Sequence, residues 1–344
     1  MFSNLYGNDR VKETLKRLLR FGRVPNSLLF AGADGIGKRQ FALEIAKAFV
    51  CNSPHDLEGC GECPACRRAS VFNIPKSDKK DDFKQVFFSE HADVGIVVPF
   101  NKNILVDAIR DLEREAYFRP YEAKARFFII DDADKMNDAA SNALLKTLEE
   151  PASTSHIILI SSRPDSLLQT IRSRCQTIRF APVEIDKIEE VLLNTNKFSI
   201  DDAKLAAKLS GGSIQKALVM DVAKFREQRE RILFVMQSLV IRRDRAALLQ
   251  TAEQMNDAKN KDAYEDTLSI LLSLIRDVWT ISLNKTDGNI VNADIALSLH
   301  KLAEDAEPQK LSSWMAEIEL LRESFAVNIN RKVATDALFM QMAA

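Results

Sequence analysis

The chain is predicted to be an α/β protein with a helical C-terminal part, and three observations predict it. Residues 1–182 alternate apolar strand-like runs with helical patterns, the signature of a parallel sheet with crossover helices. A glycine-rich turn, Gly32 to Lys38, sits between an apolar run and an amphipathic helical pattern. From Pro182 onward the pattern is helical throughout.

Ser27–Ala31 is a short apolar run ending at the glycine turn. The helix that follows from Lys38 places Phe41, Ile45 and Phe49 at i, i+4 and i+8, a buried stripe. His91–Pro99 reads as another strand, and Asn103 as the cap of a helix whose Ile104, Ala108, Ile109 and Leu112 share one face. Phe127–Ile130 is a buried strand running into Asp131. The next helix starts near Asn137, turns Ala140, Leu144 and Leu148 inward, and stops before Pro151. His156–Ser162 and Thr177–Phe180 supply the last strands. Gly211-Gly212 ends a helix and Ser213 caps the next.

The expected division is therefore a nucleotide-binding domain at 1–182 with a cysteine module at 51–66, a three-helix lid at 183–222, and an all-helical domain at 223–344. Long amphipathic stretches at Thr267–Leu283 and Leu311–Phe325 belong to the last, with a loop at Asn284–Asn292 around Gly288. Lys76–Asp82 is a charged run expected to be a loose loop.

With 344 residues, 46% apolar and 28% charged, two or three compact units are expected. A formal net charge of −1 gives no global reason to wrap nucleic acid, so any DNA contact needs a local basic patch. The opening residues carry no export signal, and no run approaches ~18 uncharged apolar residues. The expected location is the cytoplasm, with no membrane contact.

Gly32, Gly35 and Gly37 let backbone amides turn toward a phosphate at a helix N-terminus, and Lys38 would lie against the β- and γ-phosphates. A strand before and a helix after make this more than a stray glycine pattern. The residue after the lysine should be Ser or Thr to ligate Mg²⁺, but here it is Arg39. Phosphate binding without proper metal binding is the expectation. Asp131 ends a strand and suits a metal-bound water. Asp132 stands where a water-orienting Glu is usual and is one methylene shorter. Asp132 and Asp134 read equally well as solvated charges. Ser161-Ser162 closes the next strand, and Ser162 is a candidate γ-phosphate sensor. Arg174 in Ile171-Arg-Ser-Arg-Cys175 suits either a transition-state contact in a neighbouring subunit or an ordinary surface salt bridge.

Four of the five cysteines are crowded as C-x8-C-x2-C-x2-C: Cys51, Cys60, Cys63 and Cys66. Four thiolates in two tight turns suit tetrahedral Zn²⁺ in a closed structural site, against the alternative of four unligated surface thiols. His55 is then a bystander, and Cys175 a packed thiol. The basic runs Lys79-Lys80 and Arg242-Arg243-x-Arg245 read as solvated faces.

The loop Gly32–Arg39, the run Asp131–Asn137, the stretch Asn142–Pro151, Ile171–Cys175 and the cysteine cluster together resemble bacterial DNA polymerase III clamp-loader subunits. The group concerned is gamma/tau and delta-prime, within the AAA+ proteins. The likeness covers about residues 1–220, with an Asn328-x-Asn330 element beyond. It implies an AAA+ P-loop domain with a zinc module, a helical lid and a C-terminal all-α collar. The implied partners are gamma/tau and delta subunits, with the sliding clamp and primed DNA reached through the assembly. The resemblance also implies that Arg174 acts as an arginine finger in trans. Two departures bear on activity. ATP-hydrolysing relatives carry Arg in a Gly-Ser-x-Arg-x-Ala-Leu lid element, and Gln215 takes that position here. Together with Arg39, this points to the delta-prime branch, a subunit of a DNA-directed DNA polymerase holoenzyme without ATPase of its own. Residues 71–90 are longer and more charged than the usual connection. The rival readings are a gamma/tau-like ATPase, favoured by Lys38 and Asp131, and a zinc-bearing nucleic-acid binder acting alone.

Overall fold

The computed structural model describes residues 1–242, 244–256, 264–284, 290–324 and 330–343. Two compact units emerge: residues 1–195 with 210–218, and residues 196–209 with 219–344.

The first unit is built on a six-stranded sheet: β1 (Ser27–Ala31), β2 (Phe87–Phe88), β3 (Val94–Val97), β4 (Arg126–Ile130), β5 (Ser155–Ser161) and β6 (Gln176–Arg179). Their spatial order is β2-β3-β4-β5-β1-β6. Only the two-residue β2 runs antiparallel to its neighbour; every other pairing is parallel. Strands β1, β3, β4 and β5 are buried along their whole length, as expected of unbroken apolar runs covered on both faces. The edge strand β6 exposes three of its four residues, which keeps a polar rim on an open edge. The flanking helices are α1 (Asp9–Arg20), α2 (Lys38–Val50), α3 (Pro64–Arg68), α4 (Val106–Ala116), α5 (Asp138–Glu149) and α6 (Gln169–Arg172). Phe128 and Ile130 of β4 and Ile157 and Leu159 of β5 pack with Ile109 and Leu112 of α4 and Leu144 of α5 in one core. This is the predicted mixed α/β class.

Three helices follow: α7 (Ile185–Asn194), α8 (Ile200–Leu209) and α9 (Ile214–Val219). The second unit adds α10 (Val222–Gln237), α11 (Arg245–Asn256), α12 (Tyr264–Asn284), α13 (Ala296–Asp305), α14 (Pro308–Ser324) and α15 (Arg331–Met342). Its core includes Leu271, Leu274, Ile275, Leu311, Ile318 and Phe339. Buried Arg229 on α10 forms a two-pronged ion pair with Asp294, one prong at 2.7 Å, and donates to Asn292 Oδ1 at 3.1 Å. None of the described helices is long and apolar enough to cross a membrane. Gly288, Arg243 and Asn328 lie outside the described residues.

Two local expectations are corrected. Asn103 does not cap α4, which begins at Val106. Phe100 and Asn103 pair backbone to backbone, and Ile104 donates to the Lys135 carbonyl at 2.9 Å, which keeps this segment extended. The charged run from Lys76 is not simply a loose loop. Residues Lys80–Phe83 form a 3₁₀ turn, anchored by Phe83 against Phe87 at 5.7 Å and Phe100 at 5.3 Å between ring centroids.

Candidate functional site

The glycine turn lies at the C-terminal end of β1, between β5 and β6, where open α/β sheets hold their ligands. Gly35 and Gly37 have φ of +73° and +97°, a backbone region that side chains resist. Lys38 is buried, and its ammonium donates to the carbonyls of Gly32 and, at 2.6 Å, Ala33. Burial draws its pKa down, while Asp34, Asp131, Asp132 and Asp134 hold it up. The turn therefore binds its own lysine.

The segment around α9 closes over the same turn. Gln215 N donates to Gly35 O at 3.2 Å, and a Cβ on Gly35 would fall 2.2 Å from Ser213 Oγ and 2.9 Å from Gln215 Cβ. Gly35 is thus required twice, by its φ and by this approach. Gln215 brings a neutral amide to the glycine turn.

Arg39 Nη1 stands 3.6 Å from Asp131 Oδ2. Its guanidinium also lies over the Phe72 ring, 5.8 Å from the centroid. Phe72 opens the long 71–90 connection, which folds back through a Phe72–Ser89 bridge. That stretch accordingly has a contact with the site. Burial raises the Asp131 carboxyl above its ordinary range, and Arg39 opposes the rise. Asp132 adopts a left-handed φ of +52° and bonds Lys135 Nζ at 2.8 Å, so its carboxylate is already engaged.

Asp134 is the acid that the sequence undervalued. Far from solvated, its carboxylate accepts from Ser161 Oγ at 2.9 Å, Ser162 N at 3.1 Å and Arg163 Nη2 at 3.1 Å. Burial opposes its charge, yet these donors hold it below the usual carboxylate range. Ser161, not Ser162, presents the bonded hydroxyl; Ser162 contributes its amide.

Arg174, at the C-terminal side of α6, donates to Thr170 O at 2.9 Å and pairs with Glu149 Oε1 at 2.7 Å. Its side chain remains about one-third exposed. Cys175 is buried in the α4–α5 core, and burial raises its thiol to about 12, as befits a packed group.

The four clustered cysteines converge, their sulfurs all within 4.8 Å of one another. Cys51 Sγ lies 3.5 Å from Cys60 Sγ and 3.9 Å from Cys63 Sγ. A tetrahedral metal with sulfur bonds of about 2.3 Å has edges of about 3.8 Å, so the donor set fits. Backbone amides of Cys60, Cys63 and Cys66 point at sulfurs of Cys51, Cys60 and Cys63, between 3.3 and 3.5 Å. Burial works against it, but amides of Cys66 and Asn52 hold the Cys63 thiol down to about 6. The cluster could hold a metal ion. His55 pairs backbone to backbone with Glu58, and its ring is not among the four converging groups.

Two stretches of the chain match known protein families. Residues 7–184 match the family described as DNA polymerase III, delta subunit, and residues 223–341 match its C-terminal family. The chain belongs to the DNA polymerase III delta subunit family. Among relatives of this family, the DNA polymerase III subunit delta' of Bacillus subtilis (strain 168) is 29% identical over 322 residues, 93% of this chain and 92% of that one. The delta' subunit of Escherichia coli (strain K12) is 26% identical over 335 residues, covering 96% and 92%. The tau subunit of Bacillus subtilis is 29% identical over 222 residues, which is 63% of this chain but 36% of tau.

Proposed function

We propose that the chain is a delta-prime-type subunit of a bacterial clamp loader, assembling with gamma/tau and delta subunits to place a sliding clamp on primed DNA. The reading is supported by relatives of that name matched across nearly their full length. It is carried by one observation, the Arg39–Asp131 ion pair where a magnesium ion would have to sit. A hydroxyl at that position would share the cation; a guanidinium competes with it. Asp132 turned to Lys135, and Gln215 in place of a cation, favour the same conclusion: this subunit's own site does not hydrolyse ATP.

Its contribution to ATP turnover is instead Arg174, donated to the nucleotide of a neighbouring gamma/tau subunit. The guanidinium is accessible and pre-oriented by Glu149. Such a finger stabilises charge spreading over the γ-phosphate oxygens in the transition state, without forming a bond. The four-thiolate cluster holds Zn²⁺ in a closed shell, so the ion shapes the module and takes no part in reaction. Residues 1–182, 183–222 and 223–344 serve as AAA+ domain, lid and oligomerising collar in the cytoplasm.

The test mixes the chain with a gamma/tau partner and follows phosphate release. With Arg174→Ala, turnover at the adjacent partner site is expected to fall by a factor on the order of 10³. The chain alone should show none. Steady Mg-dependent turnover by the isolated chain would overturn the reading.

A further inference from the structure

The chain is nearly neutral, but its charge is not evenly spread. Residues 9–23, covering α1 and the turn after it, carry six Lys or Arg and two Asp or Glu, a local charge of +4 in a chain of −1. Val11 and Leu15 bury the inner face of α1. Arg10, Arg17 and Arg20 fall at i, i+7 and i+10 and are all exposed, so they line the outer face. Exposed Arg23 extends the row beyond Gly22, which ends the helix at φ +60°.

Pairing separates these arginines from their neighbours. Lys12 is held by Asp9 at 2.8 Å and Lys16 by Glu58 at 2.9 Å. Arg10, Arg17, Arg20 and Arg23 have no carboxylate partner among the described residues, although Glu13 shares their face. The other basic groups of this unit are often neutralised locally, as Arg68 is by Glu122, Arg114 by Asp111 and Arg172 by Asp165. Phe21, 67% exposed, stands at the end of the same row.

We infer that the outer face of α1 is a binding surface for the phosphate backbone of duplex DNA. The row from Arg10 to Arg20 spans about 15 Å of helix. Duplex DNA offers one phosphate charge per about 1.7 Å of axis, so several guanidiniums can each meet a phosphate and release a counterion. Arginine suits this role because its planar fork bonds phosphate oxygens two at a time. Nothing on this face reads base edges, so the contact is indifferent to sequence. It holds the subunit to any duplex that passes and does not choose the site. The preference for DNA over another polyanion rests on the proposed clamp-loader role; none of the four arginines belongs to the nucleotide or metal site, although Lys16 beside them ties α1 to Glu58 of the cysteine module.

The experiment measures fluorescence anisotropy of a labelled 30-bp duplex with the full chain between 50 and 200 mM salt. Four phosphate contacts predict a slope of log K against log salt of about −3.6, roughly a hundredfold loss over that range. Arg17→Glu with Arg20→Glu is expected to weaken binding at least about tenfold at 50 mM and to flatten the slope by about 2. Arg17→Lys with Arg20→Lys should retain most of the binding, and an unchanged circular dichroism melt shows that either variant folds. The same glutamate variant should leave stimulation of gamma/tau ATPase through Arg174 intact when DNA is omitted, which distinguishes failure here from failure of the proposed function. Unchanged DNA binding in the glutamate variant overturns the inference. So does binding to phosphatidylserine vesicles but not to duplex, or DNA binding that disappears on zinc chelation while the variant binds normally.

Discussion

At the scale of single residues, the 3.6 Å approach of Arg39 to Asp131 governs the chemistry expected at the glycine turn. Arg39 is more than one-third exposed, so its removal should cost little stability. Arg39→Thr restores a hydroxyl and removes a competing charge. It is expected to produce Mg²⁺-dependent nucleotide binding, measurable by titration calorimetry with and without magnesium. Equal heats in the two titrations would show that the guanidinium is not what excludes the ion. A second residue-scale prediction concerns Arg229, 3% exposed and held by Asp294. Asp294→Ala leaves that guanidinium with the single acceptor Asn292, and breaking such a buried pair costs about 3 kcal/mol. A urea midpoint followed by tryptophan fluorescence should register the loss.

At the scale of elements, the cysteine module has little chain of its own to hold it, so a metal bound at its four sulfurs would carry much of its stability. Helix α3 has five residues, too few to be stable alone, and its N-cap is the Cys63 sulfur. Gly59 packs so closely that a Cβ there would lie 2.6 Å from Lys47 Cβ and 2.9 Å from the Lys47 carbonyl oxygen. The module is therefore wedged against α2. Displacing metal with a chromogenic chelator is expected to release one zinc per chain and lower the melting temperature. Cys63→Ser should bind zinc more weakly, and an unchanged melting curve after complete release would remove the structural role. The cysteine spacing is enough to suggest this module, because all four thiols lie within sixteen residues. The 71–90 connection was not legible in the same way. Its contact with Arg39 through Phe72 depends on how the chain returns to the sheet edge at β2.

At the scale of the whole molecule, the two units should respond differently to acid. Burial holds His91 and His156, both in the first unit, below the ordinary value of 6.5. The unfolded chain takes up these protons first, so the first unit loses stability as pH falls below about 6.5. Asp134 in the first unit and Asp294 in the second lie below the ordinary 3.8, despite the opposing cost of burial, because of their bonded donors. Their contribution is complete above about pH 4 and is lost as pH falls through the lower folded values. Both tryptophans, Trp279 and Trp314, belong to the second unit. Urea midpoints read by tryptophan fluorescence should therefore hold steady from pH 7 to 5. Those read by far-ultraviolet circular dichroism should show an earlier-melting component at pH 5. Coincident curves at both pH values would contradict this.

The sequence by itself determined whatever depends on neighbours along the chain: the apolar runs that became β1, β4 and β5, the glycine turn, the Asn137 cap and the clustered thiols. Periodicity and spacing are local quantities, so they survive without coordinates. Only the tertiary structure decided which charges meet. Arg39 finds Asp131, Arg174 finds Glu149, Asp134 finds Ser161, and Gln215 settles on Gly35. Each of these partners is brought in by strand order or chain return across many residues, and side-chain direction, which composition does not encode, chooses among the acids within reach.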